Sequence, residues 1–256
     1  MHPILFHIGK FPIGTYGVIL ALGAVVAIFL GRALARRAGL DPERVTDLFV
    51  YSLLAAFVGA KVAMIFGDFG EFADHPLRFL TENLRNFGAF YGGFVAGVLV
   101  AVLYLRRHAI PFWKAADVTA PCLALAQGLG RWGCFFAGCC YGAPTTRPWG
   151  LVFPAVPLCE DGTRIHPWPV YESLGDLALF GLLIGIFPRR RFDGQVFLVY
   201  VALYATLRGL LEFLRGDEVR GLFFGGVVSL SQIAAAVTLP LALAAYAALS
   251  RRSRNA

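Results

Sequence analysis

Charge is what this sequence has least of. Asp, Glu, Lys and Arg make up 15% of its residues, against about a quarter in soluble domains. A water-facing surface needs more, so an ordinary soluble domain is excluded, and a 58% hydrophobic share with a mean hydropathy of +0.67 places the chain in lipid. No polar stretch is long enough for a separate soluble module, which leaves one transmembrane domain over residues 1–256. Met1 to Gly14 carry no basic flank ahead of the first apolar run, so that run is expected to stay as a helix and not to be cleaved. The five cysteines, Cys122, Cys134, Cys139, Cys140 and Cys159, lack a C-x-x-C…C-x-x-C pattern. No metal site is therefore expected, and the odd number leaves at least one thiol free or paired between chains. Without a soluble basic module, the formal charge of +7 does not point to nucleic acid.

What is present is a series of apolar runs near the ~20 residues that cross a bilayer. They fall at 15–35, 45–66, 87–105, 115–137, 169–187, 194–214 and 226–249. The expected fold class is all-α, a polytopic integral membrane protein of about seven transmembrane helices. Alternating sides then place Arg32, Arg36, Arg37, Arg44, Arg106, Arg107, Lys114, Arg189, Arg190, Arg191, Arg251, Arg252 and Arg254 together. Opposite them lie Lys10, Arg78, Arg85, Arg147, Arg164, Arg215 and Arg220. Because cytoplasmic loops carry the excess of Lys and Arg, the N-terminus is expected outside and the C-terminus in the cytoplasm. Two outward loops, near 67–86 and 139–168, are long enough to cover a site. The second carries Pro144, Pro148, Pro154, Pro157 and Pro167.

Three basic residues, Lys61, Arg131 and Arg208, fall well inside these spans, where a charge costs about 2.5–3.5 kcal/mol on insertion scales. Glu172 and Glu212 are the candidate partners, Glu212 lying one helical turn after Arg208. A structural ion pair is one reading. Three cations with two anions favour a second, an anionic ligand entering from the bilayer, for which the planar fork of arginine matches phosphate oxygens. Gly93 with Gly97, and Gly138 with Gly142, fit the G-x-x-x-G spacing of close helix contacts, and no catalytic role is read from them. Tyr16, Tyr91, Tyr141, Tyr171, Trp132, Trp149 and Trp168 sit near span ends, where an interfacial aromatic belt also places them.

The ordered motifs resemble the prolipoprotein diacylglyceryl transferase family over most of the chain, from Tyr16-Gly17 to Ser229-Leu230-Ser231-Gln232. Gly59-Ala60-Lys61 is similar to the family's G-[AG]-R/K stretch, and Tyr91-Gly92-Gly93 stands where the family has His-Gly-Gly. Gly130-Arg131-Trp132-Gly133 opens like its G-R-x-G-N-F-x-N-G-E signature. His166-Pro167-Trp168-Pro169-Val170-Tyr171-Glu172 keeps its H-P-x-x-x-Y-E frame, and Tyr204 to Arg215 keeps Y-x-x-x-R-x-x-x-E-x-x-R. The resemblance implies transfer of a diacylglyceryl group from phosphatidylglycerol, or a similar anionic phospholipid, to the lipobox cysteine of a preprolipoprotein signal peptide, in the bacterial inner membrane and without a cofactor. It implies catalytic roles for Arg131, Arg208, Tyr91, Glu172 and Glu212, and substrate-binding roles for Tyr16, Lys61, Gly92, Gly93, Gly133, Gly142, His166 and Tyr171.

The chain departs from that pattern at Tyr91, which replaces a histidine and is a poor base at neutral pH, and at Cys134, Ala137 and Cys139, which replace Asn, Asn and Glu. Those losses leave open a diverged paralogue with another acceptor. A non-catalytic phospholipid-binding or transport protein is also open, although no inverted repeat is apparent. Three readings are open for Cys134, Cys139, Cys140 and Cys159: small apolar fillers, a bridge from Cys139 or Cys140 to Cys159 that pins the loop, or a reactive thiol beside Arg131.

Overall fold

The computed structural model describes residues 2–9, 11–83, 90–153, 156–216, 222–223 and 228–255. Lys10, Arg85, Pro154 and Arg220, with residues 84–89 and 224–227 at the edges of expected loops and spans, lie outside the described residues. In chain order the elements are β1 (Ile4–Ile8), β2 (Phe11–Gly14), α1 (Thr15–Ala38), α2 (Pro42–Gly67), α3 (Phe69–Asp74), α4 (Pro76–Asn83), α5 (Phe90–Arg107), α6 (Phe112–Ala137), α7 (Trp168–Ile186), α8 (Gln195–Leu211), β3 (Leu222–Phe223), β4 (Val228–Ser229) and α9 (Leu230–Asn255). β1 with β2, and β3 with β4, form two antiparallel two-stranded sheets.

The molecule is a mostly helical multi-pass membrane protein, since α1, α2, α7, α8 and α9 are long and apolar enough to cross a bilayer. Their outward side chains, among them Leu22, Phe29, Leu54, Phe66, Leu182 and Leu241, are exposed, as lipid-facing residues are. α5 and α6 occupy two further expected spans but are not among these five. The described part of α5 has 18 residues and ends on Arg106 and Arg107, and α6 carries Lys114, Asp117, Gln127 and Arg131 along its apolar run. The expected outward loop near 67–86 holds the short helices α3 and α4 over its described part.

The chain forms two compact units, residues 31–115 and residues 1–30 with 116–256. Within the smaller unit α2 and α5 touch backbone to backbone. A Cβ added at Gly59 would stand 2.3 Å from Ala96 Cβ, and one at Gly92 would stand 2.2 Å from Ala63 Cβ. Only hydrogen-sized side chains allow this approach, so these glycines do pack helices. The smaller unit's helix ends follow from caps. Asp41 accepts the Glu43 N–H at 2.9 Å ahead of Pro42, and Gly39, in the left-handed region, ends α1 while Leu40 N–H reaches Ala35 O at 2.9 Å. Leu48, Leu105 and Ala115 form this unit's buried cluster.

In the larger unit α8 has no capping side chain of its own, because Gly194 precedes it. Asp117 of α6, fully buried, supplies the cap from 77 positions away, accepting the N–H of Gly194 at 2.8 Å and of Phe197 at 2.9 Å. The loop between α6 and α7 folds on itself through Thr145 N–H to Arg164 O and the reciprocal Leu151 and Ile165 pair. Its apolar centre is Phe153, Val156, Cys159 and Ile165. Hydrogen bonds from Thr163 hold the exposed Asp161 carboxyl below the usual carboxylate range.

Candidate active site

The site lies where the C-terminal end of α6, the N-terminal end of α7, the C-terminal end of α8 and the N-terminal end of α9 converge within the larger unit. Four helix termini suit an ionic site, because first-turn N–H groups favour anions and last-turn carbonyls favour cations. Arg131 of α6 pairs through Nε with Glu172 Oε2 at 2.8 Å, and Arg208 Nε stands 3.8 Å from the other oxygen of the same carboxylate. Arg208 Nη1 also pairs with Glu212 Oε2, while its Nη2 donates to Ser231 Oγ at 2.9 Å. Arg215 Nη1 completes the group, 4.0 Å from the Glu212 oxygen that Arg208 uses.

The burial of these side chains sets the direction in which the site faces. Glu172 and Glu212 are sealed at 0% and 2% exposure, while Arg131, Arg208 and Arg215 keep 25%, 13% and 15%. Carboxylates therefore lie behind and guanidinium groups in front. A ligand that approaches the front meets donors, which selects for an anion. All three guanidinium groups flank one indole: their Cζ atoms lie 5.3, 4.9 and 5.0 Å from the Trp168 ring centroid. Trp168 is fully buried and tied by Nε1–H to Leu211 O at 2.7 Å, so its ring is a fixed platform that adds cation–π attraction of about 0.5–1 kcal/mol per pair.

The surrounding residues position this group. Gly142 lies where three chain segments meet, since a Cβ there would be 2.5 Å from His166 Cβ and 2.8 Å from Leu214 O, and it forms an antiparallel bridge with Arg215. Gly133 has Tyr16 against it; a Cβ would be 2.9 Å from the Tyr16 ring. Trp149 Nε1–H donates to the Tyr171 hydroxyl at 2.8 Å, and that hydroxyl lies in hydrogen-bond contact with His166 Nδ1 at 3.0 Å.

Of the expected residues, Arg131, Arg208, Glu172 and Glu212 come together, and Tyr16, Gly133, Gly142, His166 and Tyr171 lie in the same unit. Lys61, Tyr91, Gly92 and Gly93 belong to the smaller unit, Lys61 with its Nζ 5.8 Å from the Phe57 ring and Tyr91 exposed at the start of α5. Sequence reasoning missed Trp168 as a platform, Ser231 as an arginine partner, Arg215 as a member and Asp176. The last is fully buried one turn after Glu172, and neither of its oxygens has a hydrogen-bond partner among the described residues. The H-P-x-x-x-Y-E frame contained the signal for Trp168, but its position at a span end gave it the reading of a belt residue.

All five cysteines are free thiols. Cys159 lies in the loop's apolar cluster and makes no bridge to Cys139 or Cys140, whereas Cys134, Cys139 and Cys140 hold their sulfurs within 4.8 Å of one another. The expectation of no metal site rested on spacing along the chain; the fold gathers three thiols that are not spaced as a zinc motif.

The profile of the prolipoprotein diacylglyceryl transferase family matches residues 3–249. The chain belongs to that family. It is similar to a phosphatidylglycerol–prolipoprotein diacylglyceryl transferase of Trichormus variabilis, with 33% identity over 261 residues, covering 98% of this chain and 91% of the relative. Another of that name, from Symbiobacterium thermophilum, is 34% identical over 254 residues, 98% of this chain and 93% of the relative. A third, from Clostridium tetani, is 33% identical over 217 residues and covers 85% and 86%.

Proposed function

We propose that this chain transfers the diacylglyceryl group of phosphatidylglycerol to the lipobox cysteine thiol of a preprolipoprotein. The observation that carries the reading is the group of three arginines on one indole, backed by two sealed glutamates, in a member of this family. Thiolate sulfur attacks the glyceryl carbon that bears the phosphoester oxygen. The carbon–sulfur bond forms as the carbon–oxygen bond breaks, and glycerol phosphate departs. Arg131 and Arg208 bind the phosphate and neutralise the charge that develops on the leaving oxygen, while Glu172 and Glu212 orient them. Tyr91 stands in the place of the family histidine. Lys61, Gly92, Gly93, Tyr16, Gly133, Gly142, His166 and Tyr171 serve substrate binding.

The protein acts as a single transmembrane domain of seven spans in the bacterial inner membrane. Its N-terminus is outside, and the loop at 139–168 lies on the outer side with the arginine group. The distribution of Lys and Arg supports this arrangement. The test is incubation of the purified protein with phosphatidylglycerol and a lipobox peptide, followed by mass spectrometry of the peptide. Addition of a diacylglyceryl mass on cysteine is expected; binding of the lipid with no change in the peptide would point to the diverged or non-catalytic reading.

A further inference from the structure

Helix α6 ends in a Schellman turn, and that turn determines where three thiols go. Gly138, at φ 74°, donates its N–H to Phe135 O at 3.2 Å, and Cys139 donates to Cys134 O at 3.1 Å. This geometry brings the residue after the glycine against the residue five positions earlier. Here those two residues are Cys139 and Cys134. Apolar contact would account for that pair alone, but Cys140 follows at φ 56°, in the left-handed region that is strained for a residue with a side chain. Its sulfur joins the other two, all within 4.8 Å.

We propose that Cys134, Cys139 and Cys140 form a three-thiolate site for a zinc-like divalent cation whose fourth position takes the acceptor thiol. Tetrahedral coordination with metal–sulfur bonds of about 2.3 Å places sulfurs about 3.8 Å apart, so the observed spacing closes with sub-ångström movement. No other Cys, His, Asp or Glu joins the group among the described residues, and three protein ligands with one open position is the pattern of a catalytic rather than a structural zinc site. Access exists, because Cys139 is exposed while Cys134 is buried. Charge is matched as well: three thiolates around a dication leave one negative charge, and Arg131 Nη1 lies 3.8 Å from Cys134 Sγ. That same arginine belongs to the phosphate group, so metal and phosphate sites adjoin.

The chemistry deepens the proposed transfer and rests on it. The acceptor thiol binds the cation and releases its proton to water, because a coordinated thiol is held as thiolate. Sulfur then attacks the glyceryl carbon, the carbon–oxygen bond electrons leave with glycerol phosphate, and the neutral thioether dissociates from the metal. One proton is released per turnover and nothing is oxidised. Coordination thus performs the deprotonation for which Tyr91 is poorly suited.

The test loads the reduced, metal-stripped protein in detergent with Zn2+ or Cd2+. One cation per chain is expected, with thiolate-to-cadmium charge-transfer absorption of three thiolates. That signal should be lost in Cys134→Ser, Cys139→Ser or Cys140→Ser and kept in Cys122→Ser and Cys159→Ser. A lipobox peptide should add a fourth thiolate to the spectrum, and its serine analogue should not. Stripping the metal should lower transfer tenfold or more, with recovery on adding Zn2+. Equal cadmium binding in all five variants, or alkylation in intact cells that finds two of the three thiols bridged, overturns the site. Undiminished transfer by metal-free protein overturns its role. Metal and peptide thiol both bound without any transfer would instead sink the transferase reading and leave the site standing.

Discussion

Arg131 and Arg208 both present Nε to Glu172, and Arg208 adds Nη1 to Glu212, so substitution at either position separates charge from shape. Lysine would keep the charge at either position, but as a point donor it cannot hold a carboxylate behind and a phosphate in front. Arg131→Lys and Arg208→Lys are therefore each expected to lower turnover about 10–100-fold, the equivalent of losing one charge-assisted hydrogen bond of about 1.5–3 kcal/mol. The transfer assay at saturating lipid measures this, and activity near the unsubstituted level in Arg208→Lys would reduce that residue to a partner of Glu212. Both arginines and both glutamates were legible in the sequence because an ionisable residue inside an apolar run stands out. Trp168, Ser231 and Asp176 did not stand out. Their roles depend on contacts between helices, such as Trp168 Nε1 to Leu211 O, that no local spacing encodes.

At the level of elements, the long helices followed directly from hydropathy, and the G-x-x-x-G spacing of Gly93 and Gly97 marked a close helix contact, whereas Gly138 and Gly142 lie past the end of α6 and mark none. What the sequence concealed was how helix ends are completed. Asp117 looks like one more charge in a span, yet its two oxygens close the N-terminus of α8 with Arg190 Nε at 3.7 Å behind them. Asp117→Ala would leave two N–H donors without their partner, one of them buried, and is expected to lower stability by on the order of 2–4 kcal/mol. Asn at the same position keeps one acceptor and should lose about half as much. Thermal unfolding in detergent reads the difference, and an unchanged midpoint in Asp117→Ala would mean that α8 does not need this cap. The thiol group has a similar origin: Cys134 and Cys139 are distant as a zinc motif is counted, but adjacent once Gly138 turns the chain.

For the whole molecule, seven spans with the C-terminus inside predict that a reporter active only outside the cytoplasm, fused after Ala256, is silent, while one active in the cytoplasm gives signal. A strong extracytoplasmic signal would remove one span from the count and put the arginine group on the wrong side for a secreted acceptor. The division of the chain into two units was not legible, because hydropathy reports membrane crossing and says nothing of which helices pack together. Glu172, a single carboxylate on α7 shared by α6 and α8, has a consequence of its own for how mutations combine. Removing Arg131 alone leaves Glu172 with Arg208, and the reverse substitution leaves it with Arg131. Removing both strands a sealed anion with neither cation, so the double alanine variant should be less stable than the sum of the two single losses, by about 0.5–3 kcal/mol in a double-mutant cycle. The two arginines therefore form a redundant pair, in which either one can spare the glutamate and only their joint loss exposes its full cost.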